Sequence, residues 1–171
     1  MKMRVKFCFL FFVIAGLSFA GVMAQGVKNE MEDSINRNGM PEEALETLEE
    51  YWPAQHDIRY YFETDGDSET YEAKLEWKGK NYCFEFRSDG RVLDVEQLIG
   101  RDAISADAKD GIENYLRQEF RRVNIKRTQR QFIADDDDDS DDPDFIDDVL
   151  EGDEEDYEIR YEIEVEGRSG G

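Results

Sequence analysis

Histidine, cysteine and proline are scarce in this acidic chain, and each scarcity removes a class of function. His56 is the single histidine, so any Ser-His-Asp or Cys-His relay must be built on it. It follows Trp52-Pro53-Ala54-Gln55 in a helix-to-strand turn with no catalytic motif around it. Zinc sites draw on several His or Cys ligands, which the chain cannot assemble once Cys8 is set aside with the N-terminal segment. Cys83 is then alone, so no internal disulfide forms and the fold rests on packing. Cys83 alternates with Tyr82 and Phe84, which directs it away from the core as a half-buried thiol; the sharper alternative is an intermolecular disulfide. No glycine-rich phosphate loop occurs. Carboxylates are so numerous that no one pair stands out as a glycosidase dyad. The expectation is a non-enzymatic protein with no cofactor.

Basic residues are also few: 21 Lys and Arg against 43 Asp and Glu, a net charge of −22. Phosphate neutralisation needs clustered Lys and Arg, so a general nucleic-acid binder is excluded. The balance favours solubility, basic partners or loose association with divalent cations.

A single strongly apolar run, Phe7–Leu17, follows Lys2, Arg4 and Lys6. It is shorter than the ~20 residues a spanning helix needs. Val22-Met23-Ala24 before Gln25 has the small-residue pattern of a signal-peptide cleavage site, and Ser18-Phe19-Ala20 is a second option. Residues 1–24 are therefore expected to be a secretory signal, cut between Ala24 and Gln25, with no membrane span in the mature chain.

Residues 25–40 are polar and read as a flexible leader. Pro41 opens a helix where proline is tolerated, with Glu42 and Glu43 in the first turn favoured by the helix dipole. Ala44, Leu45, Leu48 and Trp52 form its apolar stripe, and Pro53 stops it. From Asp57 to Thr64 Ile58, Tyr60 and Phe62 alternate with Arg59, Tyr61 and Glu63. Tyr71, Ala73, Leu75 and Trp77 alternate with Glu72, Lys74 and Glu76. Tyr82, Phe84 and Phe86 alternate with Cys83, Glu85 and Arg87, and Val92–Leu98 leads out. Period-two alternation cut by Lys78-Gly79-Lys80 and Ser88-Asp89-Gly90 is an antiparallel meander with one buried face.

A second unit starts at Ser105, a helix N-cap. Ala108, Ile112, Leu116 and Phe120 make its stripe, with Tyr115 alongside. Val123–Ile133 reads as a strand, and Tyr157–Glu166 alternates strictly. The fold class is α+β: an antiparallel sheet packed against helices, the helix-plus-strands unit occurring about twice (41–100 and 104–166), the second copy truncated. Residues 167–171 read as a tail.

Residues 134–156 form an acidic insert between two strands. Like charges at this density repel and resist compaction. Phe145, Ile146, Val149 and Leu150 interrupt the acids and suit one docked turn of helix. Asp135, Asp137, Asp139 and Asp141 are the candidates for calcium, but the run has no EF-hand spacing, so loose cation association is the expectation. Arg117, Arg121, Arg122, Lys126, Arg127 and Arg130 precede the insert; an anionic partner or shading by the acidic loop would each account for them.

The Pro41–Pro53 helix, Tyr71-x-Ala73-x-Leu75 and above all Phe84-Glu85-Phe86-Arg87-Ser88-Asp89-Gly90-Arg91-Val92-Leu93 resemble the PepSY-like domains of bacterial exported proteins. These are similar in fold to β-lactamase inhibitory protein, in which helix-plus-sheet units occur in tandem. The resemblance covers residues 41–166 outside the acidic insert. It implies a periplasmic or secreted location, and a role in binding or inhibiting another envelope protein or a peptidase. It supplies no inhibitory residue. On the residues alone, the outward row Arg59, Tyr61, Lys74, Glu76, Glu85 and Arg87 is the candidate surface for a protein or peptide partner. Cation binding by the Asp-rich loop and assembly through exposed strand edges are the alternatives.

Overall fold

The computed structural model describes residues 10–14, 23–25, 30–53, 57–66, 68–134, 144–152 and 157–169. Its strands are β1 (Leu10–Ile14), β2 (Met23–Gln25), β3 (Glu30–Ile35), β4 (Arg59–Asp65), β5 (Ser68–Trp77), β6 (Lys80–Phe86), β7 (Val92–Leu98), β8 (Phe120–Ile133) and β9 (Glu158–Ser169). The helices are α1 (Glu42–Tyr51), α2 (Ala106–Glu119) and α3 (Phe145–Glu151). All strands join one antiparallel sheet in the order β2-β1-β9-β8-β7-β6-β5-β4-β3. The molecule is thus a mixed α+β fold dominated by strands.

The pleat sorts the sheet into two unlike faces. Tyr60, Ala73, Leu75, Phe84, Phe86, Val95 and Phe132 fall on one side and meet α1 and α3. Ala44, Leu48 and Trp52 of α1 supply the helix side of this cluster, as their spacing predicts. Trp52 lies against Phe84 with ring centroids 4.9 Å apart. A second cluster joins Ile104, Ala108, Ile112 and Leu116 of the α2 region to Tyr161, Ile163 and Val165 of β9. Ser105 caps α2, its Oγ accepting from the Ala108 amide.

The acidic insert is not all loop. Phe145, Ile146 and Val149 are buried on α3 and join the first cluster beside Phe84 and Phe132. Gly152 closes the helix in the left-handed conformation at φ 86°. Burying three apolar side chains offsets the cost of gathering acids around them.

The ends of the chain differ from the sequence reading. Residues 30–35, placed in a flexible leader, are β3, which pairs with all but the first residue of β4. Its composition, Glu-Met-Glu-Asp-Ser-Ile, hides it because an edge strand with one polar face carries little apolar alternation. Leu10–Ile14, inside the expected signal, runs along Glu164–Arg160 of β9, and the expected cleavage point between Ala24 and Gln25 lies in β2. β9 continues through Gly167 to Ser169, where a tail was expected, because the long β8 continues opposite it. A Cβ on Gly167 would stand 2.5 Å from the Phe120 ring, so glycine is what lets that aromatic cross the strand.

Candidate functional site

The outer face of the sheet, opposite all three helices, carries the chemistry. Register sets its rows. Tyr61, Glu72, Glu85 and Asp94 stand opposite one another across β4, β5, β6 and β7. Arg59, Lys74, Cys83, Glu96, Gln131 and Arg160 form the adjacent row from β4 to β9. Like charges in direct cross-strand opposition disfavour a sheet. This face therefore departs from what stability alone would select.

Several of these groups are buried although no helix covers them. Glu63, Glu72, Asp94, Gln129 and Gln131 are all less than a tenth exposed. Glu96 is half-buried. Set in adjacent rows of neighbouring strands, these side chains cover each other. The register carries an extra residue, Leu93 of β7 opposite Glu85 and Phe86 and Lys126 of β8 between Ile125 and Arg127, and such bulges add local twist.

Lys74 is the fixed cation of the face. Its Nζ donates to Glu32 Oε2 and lies 2.7 Å from Glu72 Oε2, and it sits 4.7 Å from the centroid of the Tyr61 ring. Burial works against its charge, but Cys83, Glu72 and Glu32 outweigh it and raise the Lys74 pKa. At neutral pH the carboxylates carry this effect, because burial pushes the Cys83 thiol up and keeps it neutral. The carboxyl oxygens of Glu32, Glu63 and Glu72 lie within 4.8 Å of one another. The Lys74 ammonium already serves two of these three.

Asp94 and Glu96 are met by side-chain amides instead. Burial, with Glu85 and Glu96 nearby, pushes Asp94 well above the usual carboxylate range, and Gln131 Nε2 donates to its Oδ2 at 2.8 Å. Burial, then the facing Glu162, does the same to Glu96, which accepts a hydrogen bond from Gln129 Nε2. Glu72 is also raised, by burial first, with Lys74 opposing.

A cleft of about 200 Å³ opens on this face, lined by Arg59, Lys74, Asn81, Cys83, Glu96, Leu98, Arg127 and Gln129, with the backbone neighbours Leu75 and Tyr82. Arg59 and Arg127 belong to β4 and β8, about 19 Å apart across the sheet, with Arg127 four residues or about 13 Å along β8 from Gln131, which is in line with Arg59. Both nonetheless line this cleft.

The outward row expected from sequence is thus placed on one face through Arg59, Tyr61, Lys74, Glu76 and Glu85. Arg87 is set apart from it: it follows β6 and its amide donates to the Arg91 carbonyl in the Ser88-Asp89-Gly90 turn. Cys83 does point away from the apolar core but is buried, 3.5 Å from Glu72 Oε1, which corrects the half-buried reading and removes the exposed thiol an intermolecular disulfide needs. The basic run is dispersed. Arg117 pairs with Glu113 at 2.5 Å, Lys126 with Glu166 at 2.7 Å, Arg130 reaches the Ala103 carbonyl, and Arg127 lies on the outer face opposite Glu164. Asp135, Asp137, Asp139, Asp141 and His56 lie outside the described residues. The buried acids of β7 and the glutamines of β8 were not foreseen; the sign in the sequence was the alternation of Asp94 and Glu96 about Val95.

Among the described residues, no helix is long and apolar enough to cross a membrane. No family model, curated protein or solved structure matches this chain.

Proposed function

We propose that the chain is an exported, non-enzymatic α+β domain that binds a protein or peptide of the bacterial envelope through the outer face of its sheet. One observation carries this reading: α1, α2 and α3 all cover one face, while the other bears an array of charged side chains around a cleft. A face kept polar, with carboxylates in direct opposition, gives up stability that an ordinary solvated surface would retain. The PepSY-like resemblance of residues 41–166 supports a binding or inhibitory role. Within it α1 with β4–β7 and α2 with β8 and β9 are read as the two units.

The test is affinity capture from envelope extract with the full chain as bait. Wild-type bait should retain a partner that Tyr61→Ala and Glu76→Lys lose, while Glu46→Lys on exposed α1 surface keeps it. Capture indifferent to the sheet-face substitutions rejects the reading.

The β1–β9 pairing favours a second reading, strand-edge assembly. If export removes residues 1–24, β9 loses that neighbour and its backbone groups are open to another chain. Light scattering of the chain starting at Gln25 should then show mass rising with concentration; a constant monomer mass rejects it.

A further inference from the structure

Most charges on the outer face are already engaged. Lys74 is held by Glu32 and Glu72, Glu96 accepts from Gln129, Asp94 accepts from Gln131, and Arg160 donates to Glu158 at 2.9 Å. Arg59 and Arg127 are different. Both are exposed, both line the same cleft from opposite sides, and neither enters a hydrogen bond or ion pair among the described residues. Holding two guanidinium groups over one opening in a protein of net charge −22 leaves a local positive point in a negative surround.

We propose that the cleft between Arg59 and Arg127 receives a carboxylate side chain of a partner protein, presented between basic residues. This rests on the reading of the outer face as the partner surface. The guanidinium fork matches a carboxylate with two parallel hydrogen bonds, and a second fork from the other side completes its remaining acceptors. The cleft volume of about 200 Å³ suits a side chain rather than a folded element. Most of its floor is uncharged. Cys83 is a neutral thiol, Asn81 and Gln129 are uncharged, and burial with Glu162 nearby raises the Glu96 pKa, which favours its neutral form. Leu98, 43% exposed, gives the rim an apolar contact for the stem of the incoming side chain. Outside the cleft the sign reverses. Glu72, Glu76 and Glu85 lie on one side and Glu164 stands opposite Arg127 on the other. A polyanion is therefore disfavoured, and a Glu or Asp flanked by Lys or Arg is what the charge pattern fits.

The test is NMR on the full chain, following the arginine Nε–H resonances. The probes are acetyl-Lys-Thr-Glu-Thr-Lys-amide, the same peptide with Gln for Glu, and inorganic phosphate. The expected result is saturable shifts at Arg59 and Arg127 with the Glu peptide, at least about tenfold weaker with the Gln peptide. They should vanish in Arg59→Gln/Arg127→Gln, with the remaining amide spectrum unchanged. Arg59→Lys/Arg127→Lys keeps the charge without the fork and should bind several-fold more weakly, a readout that survives if the Gln variant misfolds. Equal shifts with the Gln peptide, equal shifts with phosphate, or none at millimolar peptide overturns the proposal. A partner captured by Arg59→Gln/Arg127→Gln bait but lost by Tyr61→Ala overturns the cleft while leaving the sheet-face reading intact.

Discussion

Glu85 of β6 and Asp94 of β7 stand in direct cross-strand opposition, and Asp94 Oδ1 is buried with no hydrogen-bond partner among the described residues. The pair is bounded by Glu72 on β5, opposite Glu85, and by Glu96 two residues along β7. Gln131 donates to Oδ2 of Asp94, and Oδ1 is left buried without a donor, which disfavours the charged carboxylate.

This arrangement inverts the usual pH dependence. Asp94, Glu96 and Glu72 all have pKa values raised in the folded state, chiefly by burial. A carboxyl that binds its proton more tightly when folded adds stability in full below its unfolded pKa, and loses it as pH rises through the folded value. The melting temperature should therefore fall as pH is raised from the ordinary carboxylate range towards 8. Asp94→Asn keeps the acceptor for Gln131, supplies a permanent donor towards Glu85 and removes the titrating group. It should raise the melting temperature at pH 8 by about 2–6 °C and flatten the profile. A wild-type melting temperature that climbs from mild acid to neutral pH would contradict the arrangement.

Lys74 answers the opposite question, what a paired buried charge contributes. Removing it leaves Glu32 and Glu72 facing each other with Glu63 close by. Partial exposure of the ammonium discounts the cost, so Lys74→Met should lose about 2–3 kcal/mol at neutral pH by denaturant titration. The loss should shrink towards pH 4 as the glutamates take up protons. Lys74→Met/Glu72→Gln should recover part of it at neutral pH. Equal losses at both pH values would mean that the stem of Lys74, not its charge, is what the fold uses.

The meander, α1 and the N-cap of α2 could be read from the chain because each is a local signal. Tyr71, Ala73 and Leu75 alternate, Ala44, Leu48 and Trp52 keep helical spacing, and Ser105 sits where a cap belongs. β3 could not, since Glu32 and Asp33 alternate nothing and the strand exists only because β4 offers an edge. The candidate site was half visible. Arg59, Tyr61 and Lys74 follow from strand parity. Their approach to Arg127 depends on register and bulges across the strands between β4 and β8, which no local pattern encodes. Asp94 and Glu96 alternate about Val95, but the irregularity beside Phe86 breaks the parity counted from the Ser88-Asp89-Gly90 turn, so which side they take was not legible locally.

The short helix in the acidic segment gives a third test. Phe145 is packed edge-on against Tyr157 with centroids 5.1 Å apart, and Val149 is almost wholly buried. Val149→Ala should cost about 1–2 kcal/mol and Phe145→Ala about 3–4 kcal/mol in denaturant. If α3 were only laid on the surface, neither change would exceed about half a kcal/mol.

The Ser88-Asp89-Gly90 turn carries the last prediction. Gly90 lies at φ +94°, and a Cβ there would stand 2.6 Å from Glu43 Cβ and 2.8 Å from the Ala44 amide nitrogen. The turn that joins β6 to β7 is thereby pressed onto the first turn of α1, and Ala44 has no exposed surface left to yield. Gly79, in the neighbouring turn at φ +76°, has open space where its Cβ would be. The two glycines separate backbone strain from steric exclusion. Gly79→Ala should cost about 1 kcal/mol, the left-handed conformation alone. Gly90→Ala adds displacement of α1 and should cost about 3 kcal/mol or more. It should also move the indole signal of Trp52, which closes the same helix against Phe84. Equal costs, with the Trp52 signal unmoved, would mean that α1 does not rest on the turn.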